Sequence, residues 1–158
     1  MSKIGKTFDE FNVGEKITFP LATITEHHIL SWAALSGDFN PLHLNAEFAK
    51  KTPLGQRLGG RVPYGQMITC LMSGPLGSML LFGTGAALLD ISFKFVNPAG
   101  IGDTLYEEIE VVEKKPSKKY EGGIVKFKLT CKNQKEEEIV NGTMTFLVLN
   151  KKLIPPYR

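Results

Sequence analysis

The chain has little with which to cross-link itself, grip phosphate or span a bilayer. Its 158 residues include two cysteines, Cys70 and Cys131, and one tryptophan, and Arg57, Arg61 and Arg158 are the only arginines among 19 basic side chains. The two cysteines lack metal-ligand spacing and sit in apolar runs, which excludes a disulfide scaffold or zinc ribbon and predicts buried, reduced thiols. The net charge of +3 rests on lysine, whereas nucleic acids are read chiefly by planar, bidentate guanidinium groups, so no nucleic-acid surface is expected. The longest charge-free stretch, 62–89, is broken by Gly65, Gln66, Thr69, Ser73, Gly74 and Pro75. It falls short of the ~20 apolar residues that a membrane helix needs. The first ten residues lack the apolar centre of an export signal, and a cytoplasmic protein is expected. His27 and His28 fall in the first turn of a helix and read as surface or packing groups, so no metal site is predicted.

What is present suits one packed domain. The chain is 42% apolar and 22% charged, close to the globular average. A single domain over 1–158 is expected, with 151–158, which holds Pro155 and Pro156, as a tail. From Met67 to Phe82 the apolar residues recur at helical spacing, with Met67, Leu71 and Met79 on one row and Ile68, Met72, Leu76 and Leu80 on the next. A helix greasy around most of its circumference has to be wrapped. The wrapping follows in sequence. Leu89, Ile91, Phe93 and Phe95 alternate with polar residues, as do Val125, Phe127, Leu129 and Cys131, which predicts half-buried antiparallel strands. Residues 105–114 alternate less cleanly, 139–149 supply a fourth strand, and 17–23 a fifth, in which Pro20 indicates a sheet edge. Two short helices precede the greasy one, the first from a Thr25 cap to a stop at Gly37, the second capped by Asn45 and closed by Pro53. The expected class is α+β: one curled antiparallel sheet around one apolar helix.

The densest polar cluster, 36–43 (SGDFNPLH), lies between the two short helices. Asp38 and His43 are a carboxylate and an imidazole separated by a stiff Asn40-Pro41 step. Together they could activate one water, because an imidazole exchanges protons near neutral pH. On composition alone the same residues also read as a turn and a helix-capping loop.

The run Gly37-Asp38-Phe39-Asn40-Pro41-Leu42-His43 resembles the G-D-x-N-P-[aliphatic]-H signature of the MaoC-like (R)-specific enoyl-CoA hydratases. The resemblance continues through Tyr64-Gly65-Gln66-Met67, where many relatives have His-Gly-Met, through Ser73 eight residues on, and through the strand and turn from Phe93 to Asp103. It implies a hotdog fold and an enzyme, a hydro-lyase that adds water to a trans-2-enoyl thioester. In that family's terms Asp38 and His43 would hold and deprotonate the water and one of them would then protonate the adjacent carbon, Asn40 would orient the pair, and the Gly65 N–H would face the thioester oxygen. Ser73 would line the same pocket, with Tyr64 at its mouth as a substrate contact. Arg57 and Arg61, with Lys50 and Lys51, could meet coenzyme A phosphates, although long basic side chains are mostly solvated anyway. The resemblance implies no cofactor beyond coenzyme A as part of the substrate, an acyl carrier protein as the other possible carrier, and a homodimer or higher homo-oligomer. A hotdog thioesterase is the alternative, weakened because no acidic residue occurs between Val62 and Leu89. A non-catalytic acyl-thioester-binding subunit is the third reading.

Overall fold

A computed structural model describes residues 5–151. The expected tail, from 152 onward, lies outside the described residues. After a 3-10 turn at Phe8–Glu10 come β1 (Lys16–Thr23), α1 (Glu26–Ser36), α2 (Pro41–Leu44), α3 (Ala46–Ala49), α4 (Pro53–Leu58) and α5 (Gly65–Pro75). A π-helical turn, Leu76–Leu80, then leads into β2 (Gly85–Phe95), β3 (Thr104–Pro116), β4 (Gly122–Asn133) and β5 (Glu138–Leu149). The sheet runs β1-β3-β4-β5-β2, with every neighbouring pair antiparallel.

Alternation in the strands delivers one face to the helix. Leu105, Ile109 and Val111 from β3 and Val125, Phe127, Leu129 and Cys131 from β4 are buried with Met67, Ile68 and Met72 of α5 in one cluster. On the opposite face β4 presents Lys126 and Lys128, and the register sets Lys126 beside Glu113 and Lys128 beside Glu110, so unlike charges face each other across the strands. Pro20 lies in β1, which is a sheet edge, and the register of β1 on β3 is interrupted between Pro20 and Thr23.

Four expectations need correction. The apolar helix is not continuous to Phe82: Pro75 has no N–H to offer the preceding turn, and the chain widens into the π-helical turn, where the Leu81 N–H reaches back to the Leu76 carbonyl at 2.7 Å. The strand 89–95 is not half-buried. As β2 it is the second sheet edge, and Leu88, Leu89, Ile91 and Phe95 stand exposed. Cys131 is buried but Cys70 is exposed on the flank of α5. Four short helices rather than two precede α5, because Asn40 and Thr52 each cap a helix of four to six residues with proline at its start, and such short elements show no periodicity.

Candidate active site

Local chemistry shapes the acid/base loop. Helix α1 starts where the His28 ring nitrogen Nδ1 accepts the Thr25 N–H at 3.1 Å, and it buries Ile29 and Ala33. It ends on Gly37, whose φ of 73° is a left-handed conformation that suits glycine. From there the chain is held by a relay of short bonds. The Ser36 hydroxyl donates to the Trp32 carbonyl at 2.7 Å and receives the Asp38 N–H at 3.2 Å. Asp38 Oδ1 receives the Asn40 N–H at 3.0 Å, and Asn40 Oδ1 receives the Leu42 N–H at 3.0 Å, which caps α2. The structure thus makes Asn40 a bracket: its backbone holds the Asp38 carboxylate and its side chain starts the helix that bears His43.

His43 is fixed from the other side by the segment before α5. Its Nδ1 lies 2.5 Å from the Val62 carbonyl oxygen. A carbonyl can only accept, so Nδ1 carries the proton, and in the neutral ring Nε2 is the basic nitrogen. The Val62 N–H in turn donates to the Leu42 carbonyl at 3.3 Å, so residues 42–43 and 62 are tied in both directions. Two residues on, the Tyr64 hydroxyl donates to the Asp38 carbonyl at 2.5 Å and the Tyr64 ring stacks on His43, with centroids 3.7 Å apart and planes 29° from parallel. Burial, with the nearby Asp38 charge, raises the Tyr64 pKa above the ordinary phenol value and keeps the hydroxyl a donor.

Helix α5 begins at Gly65, immediately after Tyr64, and no side chain caps it. Its first N–H groups therefore lack intrahelical acceptors and sit at the positive end of the helix dipole. Gly65 is also a packing requirement: a Cβ there would lie 2.7 Å from Cε1 of Phe95. Gly65, Val62, Pro63, Ile68 and Phe95 line an apolar cavity of about 290 Å³.

The remaining expected residues are more dispersed. Ser73 does not line the cavity at Gly65. It lies ~12 Å further along the helix axis at 1.5 Å per residue, where its hydroxyl donates to the Cys70 carbonyl at 2.7 Å. There it lines a separate apolar groove of about 380 Å³ with Thr69, Ile91, Phe93, Met144 and Phe146. Tyr64 is a buried packing residue, 3% exposed, rather than a group at an open mouth. Arg61 is paired with Glu26 of α1 at 3.1 Å, so its charge is already matched. Arg57 is exposed at the end of α4, Lys50 pairs with Glu47 at 3.1 Å, and Lys51 is exposed. Among the described residues no three His, Cys, Asp or Glu side chains converge as metal ligands, and no helix is long and apolar enough to cross a membrane.

Two further residues shape the site without a signal in the sequence. Phe95 alternates within a strand pattern, and nothing local marks it as the ring lying against Gly65. Val62 acts through its backbone, for which its side chain gives no signal.

Comparison with known proteins bears on the family and the fold. The MaoC like domain matches residues 10–133. An (R)-specific enoyl-CoA hydratase of Rhodospirillum rubrum is 31% identical over 141 residues, covering 89% of this chain and 90% of its own. A structure described as a monoamine oxidase regulatory protein from Archaeoglobus fulgidus superposes with a TM-score of 0.82 at 32% identity, covering 98% of this chain and 99% of its own. An unliganded R-hydratase from Pseudomonas aeruginosa superposes with a TM-score of 0.78 at 29% identity, covering 96% and 95%. With its five-stranded antiparallel sheet curled over α5 as a hotdog fold and its family match spanning most of the sequence, the chain belongs to the MaoC-like dehydratase family.

Proposed function

We propose that the protein is an (R)-specific enoyl-CoA hydratase, a hydro-lyase that adds water to a trans-2-enoyl thioester and runs the reverse dehydration with the same groups. The observation that carries this reading is the tautomer of His43. With Nδ1–H held by the Val62 carbonyl, Nε2 is the base, on the short helix that directly follows the loop of the Asp38 carboxylate. In the forward step a water hydrogen-bonded to Asp38 gives its proton to Nε2 as its oxygen bonds to C3. The C2–C3 π electrons move through C2 onto the thioester oxygen, forming an enolate. When the enolate collapses, C2 takes a proton from the imidazolium and His43 is neutral again. The negative oxygen is met by the Gly65 N–H at the start of α5, where a preorganised donor contributes most. This addition requires no redox group or metal, and coenzyme A enters only as part of the substrate.

Relatives bear on the carrier: the Rhodospirillum rubrum protein is named for an enoyl-CoA, while a mitochondrial relative from Arabidopsis thaliana is named for an acyl carrier protein substrate. We favour coenzyme A, with the exposed Arg57 and Lys51 as cations for its phosphates and Arg61 in a structural pair. Ser73 and its groove would take the acyl end. A homodimer is part of this reading, since among the described residues β2 leaves an unpaired edge with Leu88, Leu89, Ile91 and Phe95 exposed, a liability that pairing with a second copy would remove. Free thiols in both cysteines suit a cytoplasmic location.

The test is loss of the conjugated thioester absorbance of crotonyl-CoA and longer enoyl-CoAs. Asp38→Asn and His43→Ala should each lower kcat by roughly 10²–10⁴, the usual worth of positioned acid/base groups. Hydration at the wild-type rate by both variants would refute the assignment.

A further inference from the structure

Tyr64 touches both halves of the acid/base pair, yet its burial is hard to reconcile with the substrate contact expected from sequence. Its hydroxyl reaches the Asp38 carbonyl across 26 residues, its ring lies against His43, and 3% of its surface is exposed. We infer that Tyr64 is a positioning residue, a splint that holds Asp38 and His43 at a set separation and sets both against the N-terminus of α5. The inference rests on the hydratase reading for its effect on rate, but its effect on the loop can be measured without it.

Three features support it. The other bonds on residues 38–40 are local, running to Ser36 and within the loop, and all three residues are exposed. The Tyr64 hydroxyl supplies a long-range tie at the carbonyl of the acid itself. The acceptor is a carbonyl, so the tie needs an O–H donor, and Phe cannot replace it. Tyr64 is also the residue preceding Gly65 at the helix start, so a single side chain registers the acid, the base and the backbone donor with one another. A 1 Å error among such groups can cost about 10²-fold in rate.

The experiment compares wild type with Tyr64→Phe, which keeps the ring and loses the hydroxyl, and Tyr64→Leu, which loses both contacts. Two readouts are taken: amide hydrogen exchange at Asn40 and Leu42, and the kinetics of crotonyl-CoA hydration. In Tyr64→Phe we expect exchange at both amides to rise roughly tenfold, the worth of one hydrogen bond, and kcat to fall by a similar factor with KM held within twofold. Tyr64→Leu should lower kcat further. Should Tyr64→Leu not fold, the isosteric Phe variant decides alone. Unchanged exchange in Tyr64→Phe would overturn the inference, and so would a rise in KM at unchanged kcat, which is the signature of a substrate contact. If the wild type hydrates no enoyl thioester, the hydratase reading fails, and the exchange rates still decide whether Tyr64 holds the loop.

Discussion

Glu107 provides the sharpest test of the packing. It lies on β3 between Phe19 of β1 and Cys131 of β4, fully buried, and neither carboxyl oxygen has a hydrogen-bond partner among the described residues. Burial pushes its pKa up to about 8 from an ordinary 4.5. The folded state therefore keeps a proton that the unfolded chain gives up, and stability falls as pH rises from about 4.5 until the folded carboxyl itself ionises near 8. Each pH unit inside that window costs about 1.4 kcal/mol, or about 4 kcal/mol between pH 5 and 8. Glu107→Gln cannot ionise, so its stability relative to wild type should climb by about that amount over the interval and level off above pH 8. The assay is urea unfolding of both proteins at pH 5, 6, 7, 8 and 9 and one protein concentration, because any self-association also shifts the midpoint. The two-protein difference cancels every other titrating group. Parallel stability curves would refute the reasoning and show that the carboxyl is hydrated or paired in solution.

Two more outcomes follow from packing. Gly65→Ala would drive a methyl to 2.7 Å from the Phe95 ring. Phe95 is half-exposed and can swing aside, so the expected cost is about 1–3 kcal/mol, measured by thermal unfolding, and Phe95→Ala in the same chain should restore most of it. On the β2 edge, Ile91→Lys places a charge on an exposed apolar strand. Sedimentation should show a dimeric wild type and a monomeric variant that stays folded by circular dichroism. A wild type that sediments as a monomer would remove the edge-pairing idea.

Much of the architecture was legible because its signals are short-range. Alternation in 125–132 marked β4, Pro20 marked an edge strand, and Thr25 and Gly37 marked the ends of α1. The SGDFNPLH segment announced its chemistry for the same reason, since its acid and its cap are bonded to near neighbours along the chain, whereas the Val62 carbonyl that holds the His43 ring lies 19 positions away. Residues 105–114 alternated poorly because Glu107 occupies an inward position. That irregularity was visible, but its meaning was not, since the burial depends on two other strands.

Residue order alone therefore determined the strands, the helix caps and the reactive loop, each written in contacts a few positions apart. Tertiary structure decided what those elements meet: Tyr64 against Asp38 and His43, Phe95 over Gly65, Ser73 in a groove of its own, Arg61 paired with Glu26, and β2 with no neighbour on its outer side among the described residues. These arrangements join residues 21 or more positions apart, or, for Ser73 and β2, depend on which elements lie alongside. Burial and contact at such separations are set by how the sheet closes over the helix, which no local pattern records.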